Sequence, residues 1–141
     1  MIGFNHVSAG IIIAATVPAP FVPLVALLSH FVMDMFPHFG NSAVVKPYNR
    51  PFKWLLGFDA VLCFLLLAGA IWLFPTLWWV MILGTFFATL PDFLWLLQDK
   101  VGWLCPYFRF AKKIQWLESP EGWTYEIAYF ALLFIAIIYL V

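Results

Sequence analysis

Charge is what this 141-residue chain has least of: seven Lys and Arg, seven Asp and Glu, 10% of the residues in all. A water-soluble globular chain carries about 25%. With 65% apolar and 21% aromatic residues, the sequence has too little polar surface to clothe a soluble domain and too much apolar surface to stay disordered. Its two cysteines, Cys63 and Cys105, build no disulfide framework, and neither stands in a C-x-x-C or Cys/His cluster. No Gly-x-Ser-x-Gly, Walker loop or Gly-rich dinucleotide motif occurs, so serine hydrolase, NTPase and Rossmann readings have no support. The net charge is zero and the basic residues fall in two short stretches, so no broad cationic footprint for nucleic acid exists. No internal repeat suggests an inverted transporter duplication. The apolar start lacks the basic region of a cleaved signal peptide.

Long apolar runs fill the sequence instead. Residues 55–74 contain one charge, Asp59; residues 77–97 contain Asp92; residues 123–141 contain Glu126. Each is close to the roughly 20 residues that cross about 30 Å of hydrocarbon. Pro75-Thr76 leaves almost no room between the first two, which predicts a tight antiparallel hairpin. The stretch from Gly3 to Phe36 is too long for one crossing and is interrupted by Pro18, Pro20 and Pro23. Proline inside a helix costs about 3 kcal/mol. The expected arrangement is a helix over 4–17 and another over 20–36, folded back at Pro18-Ala19-Pro20, with a single kinked span as the alternative.

All seven basic residues lie in 39–53 (Lys46, Arg50, Lys53) and 98–122 (Lys100, Arg109, Lys112, Lys113). Three C-terminal spans put both segments on one face, which the positive-inside rule makes cytoplasmic. Trp54, Trp78, Trp79, Trp103 and Trp123 fall near span ends, where interfacial aromatics belong. Between Tyr107 and Leu117, Phe110, Ile114 and Leu117 recur at helical spacing around Lys112 and Lys113. That predicts a short amphipathic helix on the inner leaflet, its lysines anchored to anionic headgroups. The expected fold is an all-α polytopic membrane helix bundle. It has four to five transmembrane helices plus this interfacial helix, in one integral membrane domain over residues 1–141. The expected location is the bacterial cytoplasmic membrane.

Four acids lie inside apolar stretches: Asp34, Asp59, Asp92 and Glu126. The histidines, His6, His30 and His38, lie in or at the edge of such stretches, and no Lys or Arg accompanies them. A charged side chain at the bilayer centre costs about 3 kcal/mol on insertion scales, so these groups must face inward and find partners. His6 and His30 each stand twelve residues from Pro18, so a hairpin there sets them at one depth. His30 and Asp34, four apart, share a helical face. Asp59, Asp92 and Glu126 lie within five residues of the cytoplasmic ends of their runs. Unpaired buried carboxylates need protons or a cation, and a divalent metal satisfies several at once. Imidazole and carboxylate suit zinc, and also manganese or iron. The alternative is a set of protonated acids hydrogen-bonded between helices. Pro91, beside Asp92, frees the carbonyl near Phe87 and opens the helix at that point. His38 and Asn41 read as interfacial.

The segment Ser29-His30-x3-Asp34-x2-Pro37-His38 resembles the S-H-x3-D-x2-P-H segment of small bacterial membrane proteins described as predicted membrane-bound metal-dependent hydrolases. Its H-x3-D core is similar to that of the zinc-dependent phospholipase C family. The resemblance extends to Asn5-His6 with Gly10, Gly57-Phe58-Asp59, Leu90-Pro91-Asp92 and Ile114 to Glu118. It implies that His6, His30, Asp34 and Asp92 are ligands to a divalent metal, zinc foremost. The expected activity is then hydrolysis of a lipid or lipid-linked ester or phosphoester near the cytoplasmic face. Asp59 and Glu126 would be the catalytic base or orient the ligands. Expected partners are membrane lipids, a lipid-like substrate and a second copy of the chain, and no nucleic acid. The alternative is a non-enzymatic ion-binding membrane protein, a cation or proton carrier or a structural subunit. The apolar outer halves of the spans, such as 65–74, favour a one-sided site over a carrier.

Overall fold

Proline sets the first boundary. In the computed structural model, which describes residues 1–40, 49–95, 97 and 100–140, helix α1 covers Gly3–Thr16 and stops where Val17 turns extended ahead of Pro18. A single 3-10 turn, Ala19–Phe21, leads into α2, Val22–Asp34, which carries a proline in its first turn. There the missing N–H leaves no bond unmade. The two helices fold back on each other, and the rings of His6 and His30 stack with centroids 4.0 Å apart. That removes the single kinked span.

The remaining helices are α3 (Arg50–Leu73), α4 (Trp78–Trp95), α5 (Cys105–Ile114) and α6 (Trp123–Tyr139), so the described chain is nearly all α. Three segments are long and apolar enough to cross a membrane: Arg50–Leu73, Pro75–Trp95 and Pro120–Tyr139. The arms of the N-terminal hairpin are not. At 14 and 13 residues they measure about 21 and 20 Å, short of a full crossing. Of the expected four to five crossing helices, five counted each arm as a span and four counted the whole N-terminal stretch as one. Helix α3 also starts earlier than its apolar run, because Asn49 caps it: its side-chain oxygen accepts a hydrogen bond from Phe52 N at 2.8 Å.

Helix α1 occupies the middle, against α2, α3, α4 and α6, and every residue from Phe4 to Ile11 is buried. Its tightest neighbour is α4. A Cβ built on Gly10 would lie 2.7 Å from the Gly84 carbonyl oxygen, and one on Gly84 would lie 2.5 Å from the Gly10 oxygen. Backbone therefore meets backbone at this crossing, which only glycine permits on both sides. The apolar end of the bundle is filled by Val7, Ile11, Ala14, Val22, Val80 and Met81 with Ala70 and Ile137. On α3, Trp54, Phe64 and Trp72 remain exposed, as a surface facing lipid requires.

Helix α5 turns Phe108 and Ala111 inward and Arg109, Lys112 and Lys113 outward, close to the expected amphipathic segment. A two-residue parallel pairing, His38 with Glu118 and Phe39 with Ser119, ties the chain after α2 to the approach to α6. Lys46 and Asn41 lie outside the described residues.

Candidate metal centre

Three helices bring four side chains to one point. His6 comes from α1, His30 and Asp34 from α2, and Asp92 from α4. One ligand atom from each lies within 4.8 Å of all the others. Below the Gly10–Gly84 contact, α1 and α4 run antiparallel. One turn back along α1 from Gly10 is His6, and two turns on along α4 from Gly84 is Asp92. The α2 pair joins them because residues four apart share a helical face.

Asp34 is the hub. Its Oδ1 lies 3.3 Å from His6 Nε2 and its Oδ2 lies 3.2 Å from His30 Nε2. Asp92 stands slightly farther off, with Oδ2 3.9 Å from His6 Nε2 and Oδ1 3.8 Å from His30 Nε2. His6, His30 and Asp34 are almost fully buried, whereas the Asp92 side chain is 35% exposed. The group therefore opens on the Asp92 side.

The imidazoles decide what fits here. His30 Nδ1 lies 2.7 Å from the Ala88 carbonyl oxygen. A carbonyl only accepts, so Nδ1 carries a proton and Nε2 is the nitrogen turned to the carboxylates, where a metal ion or a second proton would sit between them. This is how a metal-binding histidine is usually oriented. The carbonyl used is one residue beyond the Phe87 oxygen that Pro91 deprives of its donor, in the stretch of α4 that contains the proline. His6 is fully buried and neither of its ring nitrogens has a hydrogen-bond partner. A nitrogen lone pair facing carboxylate oxygen is repulsive unless positive charge sits between them, and an unpaired buried polar atom is costly. Two nitrogens and two carboxylates supply the donors and the double negative charge that suit a divalent ion of the zinc, manganese or iron kind. The residues fit a metal.

Two further groups touch Asp34, and a third holds the backbone beside Asp92. The Met1 amino group lies 2.7 Å from Asp34 Oδ1. Gln115 Nε2, just past the end of α5, donates to Asp34 Oδ2 at 2.9 Å. The Tyr107 hydroxyl donates to the Pro91 carbonyl at 3.1 Å; burial pushes this phenol up to about 12, so it remains a donor. Nothing in the spacing of the sequence marks Gln115, because it follows a helix defined by its charges and apolar stripe.

Asp59 and Glu126 stand apart from the four-residue group and grip the start of α1. Asp59 accepts from Gly3 N at 3.1 Å and Phe4 N at 2.9 Å. Helix α1 has no side-chain cap of its own, so a carboxylate from α3 caps it across the bundle, where the helix dipole favours an anion. Glu126 accepts from Ile2 N at 3.1 Å, Phe39 N at 3.2 Å and Asn5 Nδ2 at 2.6 Å. His38 is also buried, not interfacial: it is 2% exposed, with Nδ1 2.8 Å from the Phe36 carbonyl. Burial pushes its imidazole down from the ordinary value. His38 is no member of the metal group.

Compared with protein-family models, curated proteins and solved structures, the chain matches none.

Proposed function

We propose that this chain is a membrane-embedded, metal-dependent hydrolase whose centre lies near the cytoplasmic face. Its substrate would be a lipid or lipid-linked ester or phosphoester. The observation that carries the reading is the buried His6 ring, aimed without a hydrogen bond into a cluster whose other imidazole is already oriented by a carbonyl. His6, His30, Asp34 and Asp92 would hold the ion, zinc foremost. A bound divalent ion supplies a Lewis acid for the scissile ester and acidifies water towards neutrality.

The chain's own residues do the rest. His30 is held in one tautomer by Ala88. Asp34 is oriented by Gln115. Asp59 and Glu126 fix the first turn of α1, and through it His6; either becomes a proton acceptor only by releasing an amide. The exposed edge of Asp92 would give the approach from one side, since His6, His30 and Asp34 are buried. A group with that access, a few residues below the headgroups, favours a substrate that already sits in the bilayer. The seven basic residues in two segments support a cytoplasmic orientation in a bacterial inner membrane.

One observation favours the non-enzymatic reading instead: both expected proton acceptors are occupied by backbone amides, as in a structural metal site. The experiment is elemental analysis of the purified, zinc-loaded protein, followed by turnover of phospholipid in mixed micelles. Stoichiometric metal with turnover lost in His30→Ala supports the hydrolase. Stoichiometric metal without turnover of any ester or phosphoester lipid supports the structural site, and no metal refutes both.

A further inference from the structure

We infer that α5 is a docking surface for anionic lipid headgroups joined mechanically to the metal ligands, so that an anionic bilayer tightens the centre's hold on its ion. The inference rests on the metal reading above.

The outer face of α5 is built for one kind of neighbour. Between Lys100 and Leu117 the sequence has four basic residues and no acid. Arg109, Lys112 and Lys113 are spaced three and four apart, share a face and are exposed. Beside them stand Trp103 and Trp116, both exposed. Cations interleaved with exposed aromatics match the headgroup level of an anionic leaflet, where charge attracts and indole rings settle. The helix begins ten residues after α4 ends, at the border of a crossing segment. An amphipathic helix there lies along the membrane rather than away from it.

The inner face of α5 reaches the ligands. Phe108 packs on Trp95 at 5.5 Å, and Tyr107 and Phe110 pack on Phe31, which neighbours His30. Two hydrogen bonds complete the link. Tyr107 holds the Pro91 carbonyl, next to Asp92, and Gln115 holds Asp34 Oδ2. The Gln115 amide is a neutral donor, so it occupies one lone-pair direction of Oδ2 and leaves the other for a cation. It fixes the rotation of the carboxylate without competing for the metal. A ten-residue helix is too short to hold its own shape in water. What covers its two faces therefore fixes where Gln115 sits, and headgroups cover the outer one.

The test uses the full chain in nanodiscs, either of phosphatidylcholine alone or mixed with phosphatidylglycerol, with zinc affinity read by competition with a fluorescent chelator. An anionic surface concentrates zinc for any site, so the informative quantity is the anionic-to-neutral affinity ratio, compared between variants. The wild-type ratio is expected to exceed that of Gln115→Ala by about tenfold, the lower range for losing a partner that orients a ligand. The triple variant Arg109→Gln, Lys112→Gln, Lys113→Gln, which leaves Gln115 in place, is expected to give the lower ratio too. The visible spectrum of the cobalt-loaded Gln115→Ala protein should change, because Asp34 is released to another coordination mode. Equal ratios in wild type and Gln115→Ala, or a wild-type ratio in the triple variant, overturn the coupling and leave the metal reading standing. Absence of zinc binding in both bilayers overturns both.

Discussion

Replacing Gly10 with alanine tests whether the α1–α4 crossing fixes the centre. The added Cβ would stand 2.7 Å from the Gly84 oxygen, 2.8 Å from its carbonyl carbon and 2.9 Å from Thr85 Cα. All three are backbone atoms inside α4, so no side chain can swing aside. Restoring ordinary contact, 3.4 Å at least, from 2.7 Å means parting the helices locally by about 0.7 Å. Overpacking of this kind costs about 1–3 kcal/mol. The larger consequence lies one turn away, because α1 carries His6 and α4 carries Asp92, and metal–ligand distances tolerate only about 0.2 Å. Zinc affinity should therefore fall at least about tenfold, a loss of the size seen when a ligand's supporting shell is disturbed. Gly57→Ala and Gly69→Ala are the controls, since a Cβ at either meets nothing within 4 Å. Both lie inside α3, where alanine in place of glycine should raise stability by about 0.5–1 kcal/mol. Unfolding in mixed detergent micelles and chelator competition measure the two effects. If Gly10→Ala unfolds and binds zinc like wild type, the crossing does not position the ligands.

The other predictions are briefer. Chelation should lower the thermal midpoint of wild-type protein, by an amount that grows with the free zinc it is compared against, and should leave the midpoint of Asp34→Ala unchanged; a scan with and without chelator decides. Asp59→Ala should destabilise by about 1 kcal/mol, the worth of a helix cap, while metal stoichiometry stays at the wild-type value by elemental analysis. Glu126→Leu leaves the Ile2 and Phe39 amides without their acceptor and Asn5 Nδ2 with only the backbone carbonyl at position 126, so it should destabilise by several kcal/mol at about 1–3 per buried donor, seen as a lowered unfolding midpoint. Cysteines placed at Lys112 and at Thr76, in a background without Cys63 and Cys105, should label from opposite faces of the membrane; labelling from one face would overturn the orientation.

The centre was legible in the sequence to the extent that one-dimensional spacing encodes it. His30 and Asp34 share a face by helical period, and the prolines at 18 and 20 bring His6 to the same depth by chain symmetry; their stacked rings bear that out. The expected helix over 20–36 runs beyond the observed α2, Val22–Asp34, because hydropathy continues through the turn residues and past Asp34, whereas the helix stops where its backbone bonds stop. Depth set Asp59 and Glu126 near the histidines in the sequence reading without revealing what they hold. Their partners are backbone amides of residues 2–4, and backbone groups leave no mark on a sequence. The Gly10–Gly84 contact and the Gln115 bond are equally silent, since each depends on how two helices sit side by side.

The burial of α1 has a consequence for how the chain is made. Helix α1 cannot settle fully before α6 is made, because its buried Asn5 finds its acceptor in Glu126, 121 residues later. Until α6 is synthesised, the N-terminal hairpin has only part of its groove. Seating of α1 is therefore complete only once α3, α4 and α6, its neighbours in the finished bundle, have all been synthesised. Contacts so distant along the chain form slowly, so a chain halted before residue 123 holds an unseated α1 and an incomplete polar interior. Quality control that senses exposed polar residues within the bilayer would act during that interval.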